Sequence, residues 1–305
     1  LDMAESLSGF ADLAIADMTV FSSELAGSIN GRVNIGGKLE TPKLEANIRG
    51  KDIYINEVRL ASLTGKATID LRPQQHSSLD VEIDTLRYRN QQFDTVLIKG
   101  NGLTESHQLL VDAIASELKM RTQLSGGLKQ PQWSGLIEQL EINSTSFGSW
   151  ALNNSVVASY RFDNQAYKLN ELCLSENNAG FCVVSTRETD QQMHTSLKLT
   201  ALPLALANPW LPNTLSLQGG VSGNLKLVNR AQQWQLDAKL NADGSRFALG
   251  YEDNREYLDI DVLKLDVRAT EQERHFDLQL QSPGYVEATL KGDMLNKGER
   301  PVNAD

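Results

Sequence analysis

The sequence has few aromatic residues and no long apolar segment. Aromatic side chains account for 6% of the 305 residues, so leucine, isoleucine, valine and alanine must fill any interior. No apolar run approaches the roughly 20 residues that a transmembrane helix needs. The formal net charge of −10 argues against nucleic acid as a partner, because binding to a phosphate backbone gains from basic clusters that release counterions.

Signatures of catalysis and of cofactor binding are also absent from the sequence. The four histidines are His76, His107, His194 and His275. None has a cysteine or a carboxylate at a spacing typical of a metal or catalytic site, and we expect all four to be solvated. The sequence contains no nucleophile elbow, no phosphate-binding loop and no dinucleotide fingerprint. We therefore expect no enzymatic activity, no cofactor and no metal.

What the sequence has in abundance is period-two alternation of apolar and polar residues. Leu79, Val81 and Ile83 alternate with acidic residues, and residues 258–262 repeat the design. Strands of this kind have one dry face and one wet face. Parallel strands that are buried on both sides would instead read as continuous apolar runs. The alternation therefore predicts an all-β protein built from an antiparallel sheet.

The phase of this alternation flips partway through several strands, and two examples are clear. Ile53 and Ile55 are followed by apolar residues at even positions, and residues 258–262 are followed by apolar residues at odd positions. Such a change requires a bulge, or a bend onto a second sheet, if the apolar face is to stay inward. The changes favour an open, curled sheet.

Residues 107–120 fit two structures equally well. Apolar positions three and four apart satisfy a helix, whereas Leu109, Val111 and Ala113 satisfy a strand. Because strands are predicted on both sides, we favour a pair of strands here.

A glycine-rich pattern occurs twice along the chain. The spacing of glycine and aliphatic residues over 27–35 returns at 219–227. Each copy follows a short apolar stretch, 10–21 or 202–211, whose spacing fits one or two helical turns. We predict a continuous repetitive β-scaffold over 1–305 without a separate catalytic domain, in weak repeat units of about 10–125, 126–201 and 202–305.

The two cysteines flank a turn-rich segment. A hairpin around residues 175–180 would place Cys173 and Cys182 opposite each other at bonding range. The alternative is a pair of buried free thiols. A disulfide would imply an oxidising compartment such as the periplasm.

Several of these features follow one another in a characteristic order. Residues 37–42 pair a glycine with a proline, and residues 133–137 lead to a second glycine and tryptophan segment. The cysteine hairpin comes next, and then residues 202–212 lead into the second glycine-rich strand. Together these motifs resemble the TamB family of translocation and assembly module subunits, within the AsmA-like superfamily. The resemblance covers most of the chain, which we expect to be an interior fragment of a longer protein.

The resemblance implies an elongated periplasmic β-taco, a long sheet folded lengthwise so that its apolar face lines a groove, with one or two short helices. The full-length protein would be anchored in the inner membrane of a Gram-negative bacterium. The implied function is transport of phospholipid between the two membranes. The alternative is a platform for outer-membrane protein assembly that makes β-strand contacts with a TamA-type barrel, through regions expected to lie outside this sequence.

We predict that the groove binds acyl chains through aliphatic residues on the alternating strands. The predicted lipid-groove residues are Ile53, Ile55, Leu79, Val81, Ile83, Leu197, Leu199, Leu236, Leu240, Leu258, Ile260, Leu278 and Leu280. A closed β-sandwich or a solenoid, in which the same face is only core, is the remaining alternative.

Overall fold

A computed structural model describes residues 6–22, 24–72, 74–89, 91–188, 192–230, 233–250 and 255–295. These residues are almost entirely strand, and the described pairings of consecutive strands are antiparallel, which confirms the predicted fold class. None of the described helices has the length and apolar character needed to span a bilayer.

The chain divides into two compact units. The first comprises Leu1–Ala151 and Val157–Ser159, and the second comprises Leu152–Val156 and Tyr160–Asp305. The three-part repeat stays a prediction.

Ten strands begin in the first unit, and each pairs with the next along the chain. They are β1 (Ser6–Ile15), β2 (Leu25–Lys38), β3 (Thr41–Ile55), β4 (Val58–Asp70), β5 (Ser77–Tyr88), β6 (Gln91–Leu103), β7 (Ser106–Ile114), β8 (Leu118–Lys129), β9 (Gln132–Ser144) and β10 (Gly148–Leu152). The ambiguous segment 107–120 is thus the hairpin of β7 and β8, as predicted.

The remaining strands follow in chain order. They are β11 (Val156–Arg161), β12 (Tyr167–Glu176), β13 (Ala179–Arg187), β14 (Met193–Pro203), β15 (Leu215–Gln218), β16 (Gly220–Arg230), β17 (Gln233–Asn241), β18 (Ser245–Leu249), β19 (Glu256–Ile260), β20 (Val262–Thr270), β21 (Glu273–Ser282) and β22 (Val286–Leu295).

The second unit contains two sheets. Strands β12, β13, β14, β16, β17, β20, β21 and β22 form the large sheet in that order. Strands β15, β18 and β19 form a separate three-stranded sheet. Cys173 on β12 lies directly opposite Cys182 on β13, and the two form a disulfide, which confirms the predicted cysteine hairpin.

The two helices predicted from the apolar stretches are short 3₁₀ helices, Met18–Val20 and Leu204–Trp210. The first is shorter than its apolar stretch, because residues 10–15 belong to β1 and pair with β2. Backbone pairing with a neighbouring strand therefore overrides the helical spacing in that part of the stretch.

A line of bends crosses β2 to β6 of the first unit. Asp52 and Thr85 each have a φ of about 51°, and Gly27 has a φ of 97°. The registers of β3 with β4 and of β4 with β5 each skip one residue on both strands here, which shifts the alternation by one position. On β5 the aliphatic face therefore continues from Ile83 to Leu86, and the sheet curls without burying polar residues.

The two phase changes noted in the sequence have different causes. After Ile55 the chain makes a tight hairpin at residues 56–57, and β4 then pairs with β3. After Ile260 the chain leaves the three-stranded sheet and enters the large sheet at Val262. The second change is therefore the predicted bend onto another sheet, whereas the first is a turn between two strands.

Gly31 and Gly223, which occupy equivalent positions of the glycine-rich repeat, lie against a neighbouring backbone. A side chain at Gly31 would meet the carbonyl oxygen of Asn47, and one at Gly223 would meet that of Lys239. We expect Gly31→Val and Gly223→Val each to lower the free energy of unfolding in urea by about 1–3 kcal/mol.

The matched control is Gly65→Val on β4, where the nearest atom to an added Cβ is a methyl of Val81 at 3.9 Å. An equal loss of stability in Gly65→Val would show that the losses at Gly31 and Gly223 do not come from the close approach of a neighbouring backbone.

Candidate apolar binding site

Side chains on one face of the first unit form aliphatic rows that run across the strands. Antiparallel registers place Leu79 opposite Gly100, Gly100 opposite Leu109, and Leu109 opposite Leu124. Val81 belongs to the next row, beside Ile98 and Val111. We call this the aliphatic face of the first unit.

The large sheet of the second unit is built in the same way. Leu199 lies opposite Gly223, and the row continues through Leu240, Leu265, Leu278 and Leu290 on successive strands. A parallel row contains Leu227 and Leu236, and Leu280 lies opposite Leu263. These rows form the aliphatic face of the second unit.

The side chains of the aliphatic faces are only partly covered. Half-buried positions among the predicted groove residues are Leu79, Val81, Ile83, Leu197, Leu199, Leu236, Leu240, Leu258, Leu278 and Leu280. Ile260 is the only large side chain described as less than 2% exposed. A face that was packed against its own second layer would instead hold many fully buried leucines and isoleucines.

Four predicted groove residues differ from the others in their exposure or in the sheet that they join. Ile53 is 3% exposed because its side chain covers Gly50 at the line of bends. Ile55 lies at the hairpin and is 43% exposed. Ile260 and Leu258 lie on β19 of the three-stranded sheet, and Ile260 is 1% exposed, so it offers almost no surface to a ligand.

A cavity of about 300 Å³ opens on the aliphatic face of the first unit. Its wall includes Ile69, Leu79, Leu109, Leu124 and Trp133, which come from five different strands. Because one cavity is lined by residues from β4 to β9, the sheet must curve around it. The volume lies at the lower end of the range for small-molecule sites, and most of the lining surface is apolar, as is typical of such sites.

Trp133 and His107 form the polar end of this cavity. The indole Nε1–H donates a hydrogen bond to His107 Nε2 at 3.0 Å, and His107 Nδ1 lies 3.2 Å from the carbonyl oxygens of Leu103 and Thr104. In this arrangement His107 Nε2 accepts from the indole, and Nδ1 faces carbonyl oxygens to which it can donate. The expectation that His107 is solvated was wrong, because the registers of β7, β8 and β9 bring Trp133 across to it.

A buried carboxylate fixes the rim of the cavity. Asp70, at the end of β4, is 3% exposed and lies between the lining residues Ile69 and Leu71. It accepts hydrogen bonds from the backbone N–H and the guanidinium of Arg72, with Nη2 at 2.6 Å from Oδ2. These hydrogen bonds lower the pKa of Asp70 from 3.8 to about 2.

The Asp70 pair should make stability depend on pH. Since the pKa is lower in the folded state, the pair stabilises the protein above about pH 4 and loses its contribution as pH falls towards 2. We expect Arg72→Gln to lower the urea midpoint at pH 6 and to lower it much less at pH 2, where Asp70 is becoming protonated. Arg49→Gln, at an exposed position on β3, controls for the lost charge. A difference between wild type and Arg72→Gln that is as large at pH 2 as at pH 6 would contradict this role.

One group of metal-ligand side chains lies close together within the described ranges. It consists of Glu171, Cys173 and Cys182. Both sulfurs belong to the disulfide, so neither can act as the thiolate that binds a metal. This group is therefore part of a structural cross-link on β12 and β13.

The described structure defines a class of protein: in each unit a large antiparallel sheet has one polar face and one aliphatic face that is left partly open. The chain belongs to the TamB family, since the family described as "TamB, N-terminal domain" matches residues 2–300.

One relative is the translocation and assembly module subunit TamB of Haemophilus influenzae, which is 22% identical to this chain over 281 residues. The similarity covers 89% of this chain and 21% of that protein, so this chain spans about a fifth of the relative's length. No solved structure matches the chain.

Proposed function

We propose that the aliphatic faces of this chain bind the acyl chains of phospholipids and carry them between the inner and outer membranes. The chain would act in the periplasm, as part of a TamB-type protein anchored in the inner membrane of a Gram-negative bacterium. The observation that supports this most strongly is the row of half-buried leucines around an apolar cavity. The disulfide agrees with a periplasmic location, because such bonds persist in oxidising compartments.

The energetics favour an acyl chain as the ligand of these rows. Each methylene group that leaves water for an apolar surface contributes about 0.8 kcal/mol. Successive rows such as those of Leu79 and Val81 offer similar aliphatic surface. An acyl chain can therefore bind along them without selection for a particular lipid. The face therefore suits a carrier that must bind and release many lipids.

The direct test is the lipid content of the purified chain. The protein would be purified without detergent. We expect mass spectrometry to detect phospholipid bound to a substantial fraction of the protein molecules. Leu109→Asp should reduce that content several-fold, because a carboxylate would then lie among aliphatic side chains.

The control for Leu109→Asp is Ser106→Asp, which places the same charge at an exposed position of the same strand, outside the cavity lining. Absence of phospholipid from the wild type, or equal loss in both variants, would contradict binding at the aliphatic face.

A second candidate function is assembly of outer-membrane proteins through strand edges, with a TamA-type barrel as partner. Within the described residues, β22 pairs only with β21, and it exposes Val286, Leu290 and Met294 by 39–55%. Such an edge can add a strand from another protein. Photo-crosslinkers on β22 should then recover a protein, and substitutions at Leu109 should leave that product unchanged.

A further inference from the structure

Charges on the polar face of the strands follow a rule of cross-strand compensation. In the second unit Asp266 lies directly opposite Asp277, which brings two like charges together. Lys239 lies 3.4 Å from Asp266 on one side, and Lys291 lies 2.8 Å from Asp277 on the other. The repulsion between the two carboxylates is thus offset by a lysine on each flank.

Arg59 and Arg87 break this rule in the first unit. They lie directly opposite each other on β4 and β5, and both are exposed. The residues that flank them across the strands are Tyr54 and Gln92, neither of which carries a negative charge. Among the described ion pairs, none joins a carboxylate to either arginine.

The neighbouring acidic groups are already engaged with other partners. Glu57 pairs with Arg89 at 2.7 Å, and Asp84 accepts a hydrogen bond from Ser62 at 2.6 Å. Asp94 accepts a hydrogen bond from the Gln92 amide. None of these contacts joins a carboxylate to Arg59 or Arg87.

The flanking side chains hold both guanidinium groups in place without neutralising them. The Cζ atom of Arg59 lies 5.0 Å from the centroid of the Tyr54 ring, and Arg87 Nε donates a hydrogen bond to Gln92 Oε1 at 2.7 Å. Stacking on a ring leaves the N–H groups at the edge of a guanidinium available. Like charges directly opposite are destabilising, so an anion bound by both guanidinium groups would stabilise this arrangement.

We propose that Arg59 and Arg87 form a binding site for a phosphate group. Two guanidinium groups can each donate parallel hydrogen bonds to phosphate oxygens, which is the geometry that arginine matches best. The phosphate can come from a phospholipid headgroup or from a free phosphate anion. The site lies on the polar face and does not depend on acyl-chain binding at the aliphatic face.

The test compares Arg59→Gln/Arg87→Gln with Arg32→Gln/Arg121→Gln. The second variant removes the same charge from the same unit, but Arg32 and Arg121 are each neutralised by an aspartate at 2.6 Å. Thermal unfolding is followed in inorganic phosphate and in chloride at equal ionic strength. We expect phosphate to raise the melting temperature of the wild type and of the control variant. The Arg59/Arg87 variant should bind phosphate about tenfold more weakly and lose most of this shift.

A second arm identifies the source of the phosphate. Proteins in phosphate-free buffer are floated with phosphatidylcholine vesicles that contain or lack phosphatidylglycerol. Loss of vesicle binding in the Arg59/Arg87 variant alone assigns the site to lipid headgroups, and retained binding with a lost melting shift assigns it to free phosphate. Equal effects in both variants, or no response of the wild type to either probe, would overturn the proposal.

A structural role for Arg59 and a phosphate site predict different results in chloride. If the site binds phosphate, removing a repelled charge should leave the melting temperature of Arg59→Gln unchanged or slightly higher at low salt. A clear decrease in chloride would show that Arg59 is retained for packing on Tyr54, and would count against a phosphate site.

Discussion

Replacing Gly100 with leucine is expected to remove most of the phospholipid that binds to the first unit. Gly100 lies in the floor of the cavity, where an added Cβ would be 3.4 Å from both Leu79 and Leu109. That distance is ordinary van der Waals contact, so the backbone can accept a side chain while the rest of the leucine fills the cavity. We expect lipid content measured by mass spectrometry to fall at least several-fold without loss of folded structure.

The matched control is Lys99→Leu, which adds a leucine to the exposed side of the same strand, outside the cavity lining. It should keep the lipid content of the wild type. If Gly100→Leu binds as much lipid as Lys99→Leu, the cavity is not where acyl chains bind.

Removing the disulfide is expected to have a large effect on stability. The bond joins two residues that are 9 positions apart, and closing a loop of this size restricts the unfolded chain. The loop-closure relation gives a loss of about 2.5 kcal/mol for Cys173→Ala/Cys182→Ala. The free energy of unfolding in urea, followed by circular dichroism, measures this loss.

Chemical reduction provides the control for the cysteine variant. Dithiothreitol should destabilise the wild type to the level of the double variant and should leave the double variant unchanged. A wild type whose urea midpoint does not respond to reduction would show that the disulfide adds no stability.

Local patterns were sufficient to predict most strands and their faces. Alternation is a property of neighbouring residues, so Leu79, Val81 and Ile83 could be assigned to one face of β5 before any partner strand was known. The cysteine hairpin was predictable for the same reason, because a turn-rich segment lies between Cys173 and Cys182. These features depend on contacts that are close in sequence.

Features that depend on distant partners were not predictable. Leu258 and Ile260 alternate like residues of the large sheet, yet they pair with β18 in the three-stranded sheet. Period-two spacing indicates which residues share a face, but it does not indicate which sheet a strand joins. Their separation from the other predicted groove residues therefore became visible only in the structure.

The polar end of the cavity was missed because its two residues are separated by 26 positions. His107 on β7 and Trp133 on β9 meet only through the register of β8 between them. Two glycines offered a signal: added Cβ atoms at Gly126 and Gly135 would lie 2.7 and 2.8 Å from the Trp133 ring. Small residues around a tryptophan in a hairpin can indicate that the ring folds back over the sheet.

Fluorescence quenching of Trp133 tests most directly whether acyl chains enter the cavity. A chain that keeps Trp133 but carries Trp150→Phe, Trp210→Phe and Trp234→Phe would be mixed with phosphatidylcholine brominated on its acyl chains. Because Trp133 lines the cavity, we predict strong quenching by the brominated lipid and none by the unbrominated lipid, with loss of quenching in Gly100→Leu. Equal fluorescence with the two lipids would contradict acyl-chain binding at this face.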